Sequence, residues 1–170
     1  TAFNLISGMF PPNAGKVKLD GVDVAGLSPE AVTQAGLGRS FQITNLFPTL
    51  SVAENVRLAA QARHPARFSL WRRADALPGL KQETAELLSW TGLAGVETAE
   101  AGSLSYGGQR LLDMGLSLVT RPRILLLDEP LAGLAAAERG RVGDLIKAIS
   151  REIPVLLVEH DIDRVFQLAD

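Results

Sequence analysis

The sequence predicts an α/β fold in which a mostly parallel β-sheet is flanked by helices on both faces. Two short apolar runs, at 124–127 and Val155–Val158, have the length of strands and the continuous apolar character of strands buried on both faces. A segment with helical character, Ala136–Ser150, stands between them. The order strand, helix, strand predicts a parallel crossover, and both strands are expected to be fully buried.

The N-terminal part predicts a helix, a small hairpin and a second helix. Residues 2–8 have the pattern of a helix that Gly8 ends, because glycine readily adopts the left-handed conformation after a helix. Residues 16–19 alternate as a strand, and the dipeptide at 20–21, Asp-Gly, predicts a hairpin turn. Ser28 followed by proline predicts a short capped helix that ends at Gly36.

A brief strand at 39–41 leads to Gln42, and the chain then becomes helical. Ser51 and Glu54 form a capping-box pattern that begins a helix to about residue 62. Further helices are predicted at 82–91 and 105–120. Because no strand intervenes, residues 51–121 are expected to form an inserted helical subdomain, with 1–50 and 122–170 as parts of the core. Trp71 and Trp90 are expected to pack within the subdomain.

The composition excludes several classes of protein. The 170 residues are 46% hydrophobic and 21% charged, and cysteine is absent, so a disulfide framework and a cysteine-ligated metal site are both excluded. The formal net charge of -2 gives no electrostatic argument for nucleic acid as a partner. No apolar run approaches the roughly 18 residues that a membrane span requires.

Asp128 and Glu129 are the strongest candidates for chemistry, because they directly follow the first apolar strand. Ligands of open parallel sheets gather at the carboxyl ends of the strands. One acid could hold Mg²⁺ and the other could orient or deprotonate an attacking water in phosphoryl transfer. The alternative is that both acids merely cap the following helix.

Three further positions stand at the ends of predicted elements. His160 follows the second apolar strand, at the edge of the sheet where Asp128 is expected, and could sense a phosphate there. Ser105, Gly107 and Gly108 precede a helix, where a hydroxyl and free N–H groups can bind an anion. Each has a structural alternative: a histidine at a strand end and a serine N-cap are both common, and Gln42 alone would be merely solvated.

Four separated motifs in this order resemble those of the ABC ATPases. They are the Q-loop at Gln42, the signature loop at 104–107, the Walker B strand that ends in Asp128 and Glu129, and the switch histidine at His160. Within that family the chain is most similar to the ATP-binding subunit of branched-chain amino acid importers, through the stretches 39–56, 104–107, 129–134 and 159–163. The resemblance covers nearly the whole chain and implies a P-loop NTPase-type fold, with ATP and Mg²⁺ as cofactors.

The resemblance also implies a role for each matched residue. Asp128 would hold the water shell of Mg²⁺, with Gln42 as a second contact to the metal or the attacking water. Glu129 would be the general base, and His160 would contact the γ-phosphate. The residues that would bind nucleotide are Thr1, Ser105, Tyr106, Gly107, Gly108 and Gln109, of which Ser105 and Gly107 would reach the nucleotide held by a partner subunit.

The implied partners are membrane-spanning permease subunits, a second ABC ATPase subunit and, indirectly, a solute-binding protein. The implied location is the cytoplasmic face of the cell membrane, as a peripheral protein. Three alternatives stay open: a related ATPase for urea or amide import or for lipopolysaccharide export, a soluble ABC protein that acts in translation or DNA repair, and a non-catalytic interaction module. The net charge and the intact acids disfavour the last two.

Three features depart from the family pattern. The Walker A loop, G-x-x-x-x-G-K-[ST], is missing, so it is expected to precede Thr1, and the chain alone is expected to bind ATP weakly or not at all. Gly108 stands where the family usually has glutamine, and Ala135 replaces a usual polar residue of the D-loop. Either substitution is expected to affect turnover without removing the metal site or the general base.

Overall fold

The structure, a computed structural model, describes residues 2–40, 46–63, 79–160 and 168. The predictions made for Thr1, Phe41, Gln42 and Trp71, and for the stretch 161–163, lie outside the described residues.

The described residues form six helices and five strands in the predicted order. The helices are α1 Ala2–Ile6, α2 Pro29–Gln34, α3 Val52–Arg63, α4 Leu80–Trp90, α5 Tyr106–Val119 and α6 Ala136–Ser150. The strands are β1 Lys18–Leu19, β2 Val22–Asp23, β3 Leu37–Ser40, β4 Ile124–Asp128 and β5 Val155–Val158, with a short 3₁₀ helix at Ala101–Ser103.

The small N-terminal hairpin is confirmed. Strands β1 and β2 are antiparallel, with Lys18 opposite Asp23 and Leu19 opposite Val22. Asp20 and Gly21 between them both have positive φ, 49° and 81°. A two-residue turn with two positive φ angles matches the natural twist of a hairpin, and the Asp-Gly pair supplies it at low cost.

The main sheet is parallel, as predicted, and has the order β3-β4-β5. Leu37 pairs with Ile124 at the start of the β3–β4 ladder, and Asp128 pairs with Val158 at the end of the β4–β5 ladder. The three strands therefore finish at one edge, where the chain continues towards Gln42, Glu129 and His160 respectively. This topology gathers the predicted motifs at Glu129 and His160 at the edge where β3 also ends.

Helices cover both faces of β4. Leu125 and Leu127 are fully buried in a cluster that includes side chains from α5 and α6. Leu126, on the opposite face, is buried in a second cluster with Phe3 of α1 and Val32 of α2. The P-loop-type arrangement of a parallel sheet between helices is thus confirmed at its centre.

The prediction that β5 is buried on both faces is wrong. Leu156 is 41% exposed and Val158 is 38% exposed. Leu156 is in register with Leu126 and lies on the same face of the sheet, but the cluster around Leu126 includes no residue of β5. Only the alternate residues, Val155 and Leu157, pack against the larger cluster.

Helices α3, α4 and α5 share a hydrophobic core with the sheet. Side chains of α3, α4 and α5, including Val56, Leu88 and Leu112, belong to the same cluster as Leu125 and Leu127. Ser51 caps α3 as predicted, since its Oγ accepts a hydrogen bond from the N–H of Glu54 at 3.1 Å. The division of the chain at 51–121 stays a prediction.

Trp90 does not pack as predicted, because it is 44% exposed. Helix α4 buries Leu80, Thr84 and Leu88, which are spaced four residues apart and lie on one face. Trp90, two residues beyond Leu88, lies off that face and remains in contact with solvent.

Candidate functional site

Glu129 and His160 meet at the carboxyl edge of the sheet. Nε2 of His160 lies 2.7 Å from Oε1 of Glu129, and the histidine is largely exposed while the glutamate is largely buried. The backbone N–H of Glu129 donates to the carbonyl of Val158 at 2.9 Å, which extends the β4–β5 ladder by one residue. This ladder holds the glutamate next to the end of β5, from which the histidine follows.

Glu129 has an unusual backbone conformation. Its φ of 47° lies in the left-handed region, where a residue with a side chain is held only if its surroundings determine it. The conformation turns the chain directly after Asp128, so that the two adjacent acids project differently.

Arg110 of α5 supplies much of the support for this turn. It is 1% exposed, and its guanidinium group donates to the backbone carbonyls of Asp128, Glu129 and Pro130 at 3.2, 3.1 and 3.4 Å. The planar fork of an arginine can serve several acceptors at once. Sequence reasoning missed this residue. The sequence feature that could have indicated it is an arginine directly before the apolar pair Leu111 and Leu112, in a helix predicted to pack against the sheet.

Asp128 faces a cation from the neighbouring strand. Nη2 of Arg39 lies 3.7 Å from Oδ2 of Asp128, and both side chains are mostly buried. Nη1 of Arg39 also donates to Oγ of Ser7 at 2.6 Å. Burial lowers the pKa of Arg39, and the charge of Asp128 raises it in opposition, so the arginine remains charged at neutral pH. It links β3, the end of α1 and the candidate metal-binding acid.

The acidic residues at this edge fit Mg²⁺ only as part of a site completed by a ligand. Among the described residues there is no group of three or more His, Cys, Asp or Glu side chains that could hold a metal ion. Mg²⁺ commonly binds one or two carboxylates together with waters and the phosphates of a substrate. Asp128, with Glu129 beside it, provides a donor set of that kind.

The loop before α5 forms a second group of candidate residues. Ser105 is the N-cap of α5, and its Oγ accepts a hydrogen bond from the N–H of Gly108 at 3.2 Å. The N–H of Gly107 donates to Oε1 of Glu138 in α6 at 3.1 Å. Tyr106 is exposed. The structure therefore places this loop against the beginning of α6.

Gln109 does not extend from this loop. Its side-chain amide donates to the carbonyl of Leu104 at 3.1 Å and, at 3.5 Å, to that of Gly102. The side-chain amide of Gln109 is thus bonded to the backbone that precedes Ser105. Glu138, in contrast, touches the loop directly and was missed from the sequence, where it is only an acid in the first turn of α6.

A third set of contacts ties α5 to the strand that precedes Gln42. Oγ of Ser40 donates a hydrogen bond to Oδ2 of Asp113, and both residues are buried. Oγ of Ser117 donates to the backbone carbonyl of Arg39 at 3.2 Å. Helix α5 therefore contacts both β3 and the turn that follows β4.

A parallel sheet with acids beyond its central strand, beside a helix N-terminus that carries glycines and a serine, is a nucleotide-binding arrangement of the P-loop class. The family profile described as "ABC transporter" matches residues 1–132. This chain belongs to the ABC transporter family, and the resemblance inferred from its motifs is confirmed.

Two curated relatives are transport ATP-binding proteins. The chain is 34% identical to the high-affinity branched-chain amino acid transport ATP-binding protein BraF of Pseudomonas aeruginosa, a match that covers 100% of this chain and 69% of that protein. It is 31% identical to LivG of Escherichia coli, a protein with the same description, at the same coverage. The chain is accordingly an ATPase subunit of a transporter.

Solved structures show the same fold. The ADP conformation of MJ1267, an ATP-binding cassette of an ABC transporter, matches with a TM-score of 0.84 at 23% identity, over 98% of this chain and 67% of that one. A post-hydrolysis state of the cassette MJ0796, which is dimeric and bound to ADP and Pi, matches with a TM-score of 0.77 at 24% identity, over 98% and 71%. Within the part of the chain that the structure describes, no helix is long and apolar enough to cross a membrane.

Proposed function

We propose that this chain hydrolyses ATP to power the import of branched-chain or related amino acids through membrane-spanning permease subunits. One observation carries the enzymatic part: Glu129 is held in a left-handed conformation at the end of β4, 2.7 Å from His160. Strain of this kind is kept where a precise side-chain direction is needed. The relatives BraF and LivG, which are described as branched-chain amino acid transport proteins, support the cargo.

Glu129 acts as the general base that accepts a proton from the attacking water. The imidazole of His160 holds Oε1 of this carboxylate in place and would contact the γ-phosphate of a bound nucleotide. Arg110 fixes the backbone on which Glu129 stands, through the three carbonyls of residues 128–130. A positioned base of this type contributes about 10²- to 10⁴-fold to a rate.

Asp128 would hold Mg²⁺ through its water shell, and Gln42 would be a second contact to the metal or to the water. When bound, the metal neutralises charge on the phosphate oxygens. Ser105 and Gly107 would donate hydrogen bonds to the terminal phosphate of a nucleotide held by a second cassette, which is why the subunits would work in pairs. Tyr106, Gly108 and Gln109 complete this loop, and Thr1 would lie beside the nucleotide of its own subunit.

No stretch of the 170 residues matches the phosphate-binding pattern G-x-x-x-x-G-K-[ST]. We therefore expect this chain by itself to bind ATP weakly, since no loop lysine is available to hold the phosphates. The proposed partners are permease subunits, a second ATPase subunit and, indirectly, a solute-binding protein. The proposed location is the cytoplasmic face of the membrane.

The test is ATP hydrolysis by the full-length protein that contains this chain, compared with its Glu129→Gln variant. We expect a loss of about 10²-fold or more, while ATP still drives dimerisation. Glu152→Gln, which changes an exposed glutamate in the turn after α6, is the matched control. Equal activity in the wild type and Glu129→Gln would contradict the assignment of the base.

The cargo is tested with the reconstituted transporter and its permease subunits. We expect leucine uptake to require ATP and an intact Glu129. Ribose is the comparison substrate, because a ribose import ATP-binding protein of Chromobacterium violaceum is also similar to this chain, at 33% identity. Uptake of ribose and not of leucine would overturn the proposed cargo and leave the ATPase assignment standing.

A further inference from the structure

The carboxylate of Glu138 occupies the N-terminus of α5, although Glu138 itself belongs to α6. Its Oε1 accepts from the N–H of Gly107 at 3.1 Å, and its Oε2 accepts from the N–H of Ala135 at 3.3 Å. The hydroxyl of Ser105 lies beside the same carboxylate and is the largest of the causes that hold the pKa of Glu138 below its ordinary value of 4.5. The charged form is therefore the one present at neutral pH.

The lack of a side chain at Gly107 leaves room for the side chain of Glu138. A Cβ atom at Gly107 would lie 2.7 Å from Cβ and Cδ of Glu138 and 2.8 Å from its Cγ, much closer than two carbon atoms can approach. The whole length of the glutamate thus lies over the glycine. This packing is independent of the hydrogen bonds, and it shows that the contact between the loop and α6 is specific.

An anionic group with two oxygens, held by a backbone N–H beside a serine hydroxyl at the start of a helix, has the chemistry of a bound phosphate. The two donors in question, Ser105 and Gly107, are those that the proposed function assigns to the terminal phosphate of the partner's nucleotide. Gly107 has one N–H to donate, and two anions repel each other at this distance. The carboxylate and the phosphate therefore cannot both occupy this position.

We propose that Glu138 is an internal competitor of the nucleotide, whose carboxylate holds the loop at 105–107 until a terminal phosphate displaces it. This inference rests on the proposed function, in which that loop completes the site of a second subunit. Because Glu138 is only half-buried, its displaced carboxylate is readily hydrated. The competition raises the concentration of ATP that is needed to close the dimer.

The test uses the full-length protein with Glu129→Gln to slow hydrolysis, with and without Glu138→Gln. The measured quantity is the ATP concentration for half-maximal dimerisation, by light scattering after size-exclusion chromatography. An amide is a weaker acceptor than a carboxylate and carries no charge, so we expect Glu138→Gln to lower this concentration about fivefold.

Glu30→Gln is the matched control. Glu30 also lies in the first turn of a helix, and hydrogen bonds from its own backbone N–H and from Ser28 lower its pKa. These hydrogen bonds come from its own helix cap, whereas Glu138 accepts from Gly107 of another helix. We expect Glu30→Gln to leave the dimerisation midpoint unchanged, and thermal unfolding of each variant measures any loss of capping.

The sign of the effect separates competition from a structural role. If Glu138 only capped α6, Glu138→Gln would weaken dimerisation or leave it unchanged, and either result would overturn the inference while the proposed function stood. If ATP drives no dimerisation even with Glu138 intact, the proposed function fails, and this inference fails with it.

Discussion

Replacement of Arg110 by alanine tests whether the turn that carries the candidate base depends on one buried side chain. The guanidinium group donates to three consecutive backbone carbonyls, those of residues 128–130, and only 1% of the residue is exposed. After Arg110→Ala the three carbonyls lose this donor in a place that water reaches with difficulty, and that of Glu129 keeps the N–H of Ala132 at 3.1 Å. The aliphatic stem of the arginine is lost from the interior as well.

The expected loss of stability follows from these contacts. Each hydrogen bond contributes about 1 kcal/mol net, and the buried stem adds roughly 1 kcal/mol or more, so the free energy of unfolding falls by about 3 to 5 kcal/mol. For a domain of this size each kcal/mol corresponds to about 2 to 4 °C in the melting temperature. The melting temperature is therefore expected to fall by roughly 6 to 20 °C.

The assay is thermal unfolding followed by circular dichroism, with Arg139→Ala as the matched control. Arg139 donates to a single backbone carbonyl, that of Leu134, at 3.1 Å, and its loss is expected to cost about 1 kcal/mol. Arg110→Lys keeps the charge and the stem but cannot span three carbonyls, so it should fall between the two. Equal destabilisation by Arg110→Ala and Arg139→Ala would refute the reasoning.

Three other predictions concern local features. Gly8→Ala should lower the melting temperature more than Gly21→Ala in the same unfolding assay: both glycines have positive φ, but a Cβ at Gly8 would lie 2.5 Å from the carbonyl oxygen of Leu27, whereas Gly21 faces open space. Ala135→Ser should stabilise the protein by about 1 kcal/mol in denaturant titration, because the N-cap of α6 is already extended and has no side-chain acceptor. Hydrogen bonds to the Glu138 carboxylate lower its pKa in the folded state. The difference in stability between the wild type and Glu138→Gln should therefore be fully present above about pH 5 and should disappear as the pH falls through that lowered pKa. Melting curves at several pH values measure this difference.

The parts of the fold that sequence predicts well are those determined by neighbouring residues. The hairpin follows from Asp20 and Gly21, which supply the two positive φ angles. Ser51 and Ser28 begin helices because their side chains accept hydrogen bonds from N–H groups three residues ahead. The order of apolar strand and helix likewise predicts the parallel pairing of β4 with β5.

The features that sequence could not predict depend on distant residues. Whether Leu156 is covered depends on which element reaches that part of the sheet, so an apolar strand alone does not establish burial on both faces. Arg110 and Glu138 contact residues 18 and more positions away, and no local pattern indicates which distant residue each of them contacts. The acids and His160 could be identified because their types and order resemble a family.

Helix α5 connects the loop at its own N-terminus, the turn after β4 and the end of β3. Ser105 and Gly107 stand at its N-terminus and contact α6, Arg110 holds the turn after β4, and Asp113 and Ser117 hold the end of β3. From Gly107 to Ser117 the contacting positions are three to four residues apart and so lie along one side of the helix. Closure of the dimer would displace the N-terminus of α5. The contacts of α5 with β3 and with the turn after β4 would both resist such a displacement. Because a packed helix moves as a unit, binding at the loop and the positions of Glu129 and of the chain leading to Gln42 are mechanically linked.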